Sequence, residues 1–246
     1  MLKRIIIVLI CGTVILLNSC KKTDTFTSVP LTAYYPLQTG KYITYELDST
    51  VFLAFGARDT IIKYQVQDRV DAQITDNSGR PAYRILRFIR KNKDDEWASN
   101  NTFMVVPTDN VIEFVENNLR FIKLALPVTT GFSWKGNSYL PLNPYPSYEF
   151  SSAFTDDWDY TYDSLNMPLN LGNIVVDSTI KVAQRDESLG EDPNDPATLY
   201  AERTYAVEKY GKGIGLVYKE FLHWEYQGGG SDFKGFGVKL TMIDHN

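Results

Sequence analysis

From Lys41 to Asp48 apolar residues recur at every second position: Ile43, Tyr45 and Leu47 share one face, and Thr44, Glu46 and Asp48 the other. A period of two marks a half-buried β-strand, because successive side chains of an extended chain point to opposite sides. Ile62, Tyr64 and Val66 repeat the pattern, and Val70, Ala72 and Ile74 resume it after an expected break near Gln67 and Asp68. Asn77-Ser78-Gly79 predicts a turn into a strand over Tyr83 to Arg90, and Trp97 to Val106 predicts another, ended by Pro107. Later strands are predicted over Ile174 to Ala183, Leu199 to Tyr210, Leu216 to Gln227 and Phe236 to Ile243. Gly228-Gly229-Gly230-Ser231 supplies the last turn. Many strands in sequential order predict a mainly β chain with few or no helices, an antiparallel meander curved into a half-barrel or a sandwich. Sixteen tyrosines suit such strands.

Three stretches are harder to read. Val111, Ile112, Val115, Leu119 and Ile122 could form a helical stripe capped by Asp109, but Asn117-Asn118 is also a good two-residue turn between β-rich runs. The hairpin is the preferred reading. Residues 186–196 (DESLGEDPNDP) predict a solvated loop. Residues 127–137 (PVTTGFSWKGN) echo residues 36–45 (PLQTGKYITY), with Pro four residues before Gly and an aromatic within three after it. Two matches this short fit either an internal duplication or coincidence.

The chain opens with Lys3 and Arg4 before an uncharged apolar run from Ile5 to Leu17. That run is too short to span a bilayer, which takes about 20 apolar residues, and it fits the core of a secretory signal. Leu17-Asn18-Ser19-Cys20 closes it and resembles the lipobox of bacterial lipoproteins, with Asn18 departing from the commonest small residue there. The resemblance implies cleavage of residues 1–19 and diacylation of the Cys20 thiol. Residues 20–33 then read as a lipidated tether and residues 34–246 as a single β-rich domain.

The formal net charge is −5, and it becomes more negative once Lys3 and Arg4 leave. An acidic chain without a basic block argues against nucleic acid and against electrostatic adhesion to anionic lipid. Attachment to a membrane then rests on acyl chains at Cys20, where two or three chains anchor stably and one is marginal. The chain has two cysteines, Cys11 in the leader and Cys20 at the lipidation site. None is left for a disulfide, a thiolate metal site or a cysteine nucleophile.

Candidate chemistry is sparse. Gly211-Lys212-Gly213-Ile214-Gly215 lacks phosphate-loop spacing and precedes a strand, so its glycines read as a turn or bulge. Asp157-Trp158-Asp159-Tyr160-Thr161-Tyr162-Asp163 places the acids on one strand face and Trp158, Tyr160 and Tyr162 on the other. The acids begin like an EF-hand loop, but Tyr162 occupies the glycine position and Pro168 the bidentate Glu position. The aromatic face, with Tyr145 and Tyr148, is a candidate ligand-binding surface able to stack on sugar rings; packing into the core is the other reading. His223 and His245 are too few for zinc, and His223 reads as a strand residue bonded to a neighbour. No catalytic residue, metal site or cofactor is predicted.

PLQTGKYITYELDS (36–49), LPVTTGFSWKGN (126–137) and YGKGIGLVYKEF (210–221) resemble recurrent segments of a broad group of Bacteroidota-type outer-membrane lipoproteins. Ile43 stands where that group usually has tryptophan, and Ile214 replaces valine. The resemblance implies a β-rich exported domain and no chemistry. Together these features predict a lipid-anchored, non-catalytic binding or envelope-structural module. A surface glycan-binding lipoprotein is the first alternative, and an Asp/Glu-dependent hydrolase the second. Surface lipoproteins of the group it resembles tend to carry acids directly after the lipidated cysteine, whereas Lys21-Lys22-Thr23-Asp24 holds a single acid, so the resemblance implies the periplasmic face of the outer membrane rather than the cell surface. Cys20→Ser is expected to abolish incorporation of radiolabelled palmitate; undiminished label would overturn the lipoprotein reading.

Overall fold

Alternating side chains can be satisfied only if the strands share one buried face, and the predicted strands pair accordingly. The computed structural model describes residues 29–53, 58–150, 158–193, 195, 197–228 and 232–246. The leader, Cys20, Asp157 and residues 229–231 lie outside the described residues. The first six strands are β1 (Tyr42–Leu53), β2 (Arg58–Thr75), β3 (Pro81–Arg90), β4 (Ala98–Pro107), β5 (Val111–Glu116) and β6 (Leu119–Ala125). The remaining six are β7 (Ser133–Lys135), β8 (Asp159–Asn170), β9 (Val175–Gly190), β10 (Tyr200–Gly211), β11 (Gly215–Gln227) and β12 (Asp232–His245). Among the described residues the only helical turns are two three-residue 3₁₀ segments, Leu31–Ala33 and Pro146–Tyr148.

All twelve strands join one antiparallel sheet in the order β6-β5-β4-β3-β2-β1-β12-β11-β10-β9-β8-β7. The two chain-terminal strands therefore meet in the middle of the sheet, from Ile43 opposite His245 to Val51 opposite Phe236. Its edges are β6 and β7, neighbours in sequence, and they curl back toward each other. The Ile122 N–H donates to the Gly136 carbonyl (2.8 Å), and the Trp134 Nε1–H donates to the Ile122 carbonyl (2.8 Å). Tyr162 of β8 reaches across to Ala125, accepting from its N–H and donating to its carbonyl. The result is a nearly closed barrel with one seam.

Its inner face is mostly apolar, and its outer face carries exposed Glu46, Lys63, Arg69, Asp163 and Lys239. That is the reverse of a lipid-facing barrel, whose apolar band points outward. One end is stopped by the segment before β1. Leu31 (4% exposed) and Tyr34 (2%) are buried there, and the Gly213 N–H donates to the Ala33 carbonyl at 2.7 Å. Leu31, within the stretch read as a tether, packs into the core. At the other end residues 145–150, in the described part of the β7–β8 connection, fold inward. Tyr145 and Tyr148 pack on Phe236, at 5.3 and 4.9 Å between ring centroids, and Phe150 lies edge-on to His223 at 4.4 Å.

Two further expectations change. No break occurs at Gln67 and Asp68, since β2 runs through them and Asp68 keeps the inward phase of Val66 and Val70. The irregularity falls later, as a register shift between Val70 and Ala72. β9 extends to Gly190, so the first half of the acidic stretch is strand, paired with β10 as far as Ala201. The hairpin reading of Val111 to Leu126 holds: Asn117 and Asn118 both have positive φ (51° and 63°), as a type I′ turn requires.

The Pro-x-x-x-Gly echo has a structural counterpart. Gly40 donates its N–H to Val70, and Val70 returns one to Lys41, both at 2.8 Å. Gly131 donates to Tyr162 (2.8 Å), and Tyr162 returns one to Phe132 (3.1 Å). Each turn thus enters the first strand of a six-strand half and clasps the second. Both glycines need positive φ, +91° and +82°, and neither has an atom within 4 Å of where a Cβ would stand. Gly40→Ala and Gly131→Ala are therefore expected to destabilise by backbone strain alone, about 1–2 kcal/mol each and by similar amounts. Denaturant unfolding checks this, and a difference of several-fold would break the equivalence.

Candidate functional site

Several strands place a charged residue where the inward phase calls for an apolar one. Lys123 follows Phe121 on β6, and Glu208 stands between Ala206 and Tyr210 on β10. Their side chains meet inside the barrel at 2.7 Å, Lys123 7% exposed and Glu208 1%. Both Glu208 oxygens are engaged, Oε1 by Lys123 and Oε2 by the Tyr210 hydroxyl (2.6 Å). Burial pushes the Lys123 ammonium below its ordinary range, with Glu208 only partly offsetting it. For Glu208, burial acts upward, but Lys123, Lys219 and the Tyr210 hydrogen bond hold it below the usual carboxylate range. A second pair lies across β2 and β3, where Arg87 grips Asp68 through two hydrogen bonds of 2.6 and 2.7 Å. The Arg87 guanidinium also lies 4.7 Å from the Phe103 ring centroid.

Around these pairs lies a cavity of about 360 Å³, within the size range of small-molecule sites. Its apolar wall includes Tyr45, Leu47, Phe121, Phe221, Phe236 and Leu240, and its polar members include Lys219 and Gln184. The lining runs out to exposed Asn117 and Asn246.

The predicted aromatic residues divide. Trp158, Tyr160 and Tyr145 line the cavity. Trp158 is 4% exposed, and Tyr160, 2% exposed, donates its hydroxyl to Asn137 at 2.8 Å. Tyr162 is fully buried at the seam, and Tyr148 stacks on Phe150 at 5.1 Å. The row faces the interior, so it offers no stacking platform on the outer surface. The acids opposite it are solvated: Asp159 pairs with Lys135 and Asp163 with Lys181, each at 3.0 Å and each carboxylate more than half exposed. Asp157 and Cys20 lie outside the described residues.

His223 of β11 is fully buried, with its Nδ1 2.9 Å from the Thr204 hydroxyl. Glu202 and Glu225 stand 4.0 and 3.7 Å from its ring nitrogens. Burial lowers its pKa despite those carboxylates.

Lys123, Glu208, Arg87, Lys219 and Gln184 carry no motif that singles them out in the sequence, and Asp68 reads there as a strand break. The available signal was phase: a charged or amide side chain on the apolar parity of a strand marks a buried polar group that needs a partner.

The fold and interior define a class, a nearly closed antiparallel barrel with an internal cavity. No protein family profile matches the chain, and no curated protein matches it. A crystal structure of a presumed exported protein with a YmcC-like fold, from Bacteroides fragilis NCTC 9343, is similar to it. The match covers 84% of this chain and 97% of that one, at 13% identity and a TM-score of 0.30. Backbones that superpose this loosely transfer neither function nor site.

Removing one partner of the buried pair leaves an uncompensated charge. Lys123→Met is expected to cost about 3–5 kcal/mol, and Lys123→Met with Glu208→Leu to recover most of that. Because the Glu208 pKa is depressed, its contribution is complete above the unfolded-chain value of 4.5 and is lost as pH falls toward the lower folded value. Wild-type stability should therefore drop more steeply below pH 4.5 than that of the double variant, as urea titrations at neutral and acid pH would show.

Proposed function

We propose that this chain is an exported, non-catalytic binding protein that takes a small amphipathic molecule into its barrel. On this reading it is tethered to the periplasmic face of the outer membrane by acyl chains on Cys20. The cavity carries the proposal. Its wall is mostly aromatic and aliphatic, with a few polar side chains held in fixed places, which is the composition of sites that bury a small ligand. The apolar wall accepts a hydrocarbon body, and the polar groups orient its head. A non-catalytic role fits the strongest charges inside, since Lys123 and Glu208 neutralise each other and so do Arg87 and Asp68. The basic, apolar leader and Cys20 support export and lipid anchoring.

Radiolabelled 1-dodecanol, an uncharged amphiphile, tests the reading by equilibrium dialysis against the full chain in nanodiscs, with empty discs as blank. Saturable binding is expected above the blank. Val238 lines the cavity, so Val238→Trp should fill space and abolish the saturable component. Leu47→Phe, a smaller change in the same wall, serves if the first variant does not fold. Absence of saturable binding, or binding unchanged in a folded cavity-filling variant, would overturn the proposal.

A further inference from the structure

The polar groups inside the barrel are not all spent on one another. Lys219 lies on the inward phase of β11 between Val217 and Phe221, directly opposite Glu208 in the β10–β11 ladder. Both Glu208 oxygens are already taken, by Lys123 and by Tyr210, and no described carboxylate lies within salt-bridge distance of Lys219. The other cations of the lining are engaged: Arg87 by Asp68, Lys123 by Glu208, and Lys41 by the carbonyls of Gly213 and Asn246. Lys219 is therefore the lining cation left without an acceptor among the described residues.

Gln184 is the second observation. In the β9–β10 ladder Ala206 faces Arg185 while Val207 faces Ala183, so Gln184 is the extra residue of a β-bulge. A bulge re-aims a side chain, and this one lines the cavity. Gln184 is 7% exposed, and its Nε2 is buried with no hydrogen-bond partner. An amide donor buried without an acceptor costs roughly 1–3 kcal/mol, which a ligand oxygen would relieve.

We infer that Lys219 and the Gln184 amide form the head site of the cavity and select amphiphiles with an anionic head, a carboxylate or a phosphate, whose hydrocarbon body lies along Phe221, Phe236 and Leu240. This rests on the cavity binding proposed above. An ammonium and an amide N–H are both donors, and they complement a group that only accepts. Glu208 stands beside the head site and attracts Lys219 electrostatically, but both its oxygens are hydrogen-bonded elsewhere, to Lys123 and Tyr210.

The test compares dodecanoate, dodecyl phosphate and 1-dodecanol on the same full chain in nanodiscs, with empty discs as blank. Wild type is expected to bind at least one anion about tenfold more tightly than the alcohol, as a charge-assisted hydrogen bond predicts. Lys219→Met should remove that preference, weakening the anions by far more than it weakens 1-dodecanol, and Gln184→Leu should weaken the anion severalfold. Tighter binding of dodecanoate or of dodecyl phosphate identifies which head the site takes. Equal affinity for alcohol and anions, or a preference that survives in both variants, overturns the head site and leaves the cavity reading standing. Failure of all three amphiphiles to bind overturns both.

Discussion

The antiparallel ladder between β1 and β12 is the contact on which the rest of the barrel depends. It pairs residues 43–51 with residues 236–245, about the largest sequence separation the described chain permits. Without it the two halves would be separate curved sheets, each with an apolar face open to water. With it, the face of β1 to β6 and the face of β7 to β12 enclose a common interior. Contacts this distant in sequence must form against loop-closure entropy, which places the fold among slow-forming topologies. Val66 and Tyr45 at this joint pack with Leu240 and Met242 from the far end of the chain. Closure and core formation are thus coupled.

What the ladder encloses is not a uniformly apolar core. The Lys123–Glu208 pair bridges β6 to β10 across the interior, and a replacement by well-packed hydrophobic residues would often be as stable or more so. Retaining charge where hydrocarbon would serve is costly unless the interior has a use for polarity. The bulge that turns Gln184 inward has the same character, because it disrupts a ladder and leaves an amide donor unsatisfied. Local rules are broken at Lys123, Glu208 and Gln184, which line the cavity, and also at buried Glu113, Glu202 and Glu225, which do not.

Much of the architecture was legible because period-two alternation is a local property. Asn117-Asn118 announced its hairpin by chemistry alone, since both residues tolerate the positive φ that the turn demands. The Pro-x-x-x-Gly echo was legible too, but its meaning required seeing that Gly40 and Gly131 clasp Val70 and Tyr162 in the same way. The closure partner of β1 was not legible, because nothing local in Ile43 to Val51 names a strand nearly two hundred residues away. The site was half legible. Trp158 and Tyr160 stood out as aromatics, whereas Asp68 was mistaken for a strand break because a charge on the apolar parity looks like an interruption. It is instead a buried acid answering Arg87. The inward fold of Tyr145 to Phe150 escaped notice because Pro141, Pro144 and Pro146 signal a loop but not where the loop goes.

Around its circumference the wall is unequal. Between any other two neighbouring strands a row of backbone hydrogen bonds holds the barrel shut, but at β6 and β7 the described residues contribute one, from Ile122 to Gly136. Trp134 and Tyr162 fasten the rest of that line with side chains. Each of these side chains can let go by giving up its own hydrogen bonds, whereas a ladder must be broken along its whole length. Parting the cylinder along this line therefore sacrifices a few fasteners, while parting it anywhere else tears a sheet. The protein resembles a sleeve with a placket: the cloth is continuous around the back, where first and last strands are sewn together, and the front is held by buttons.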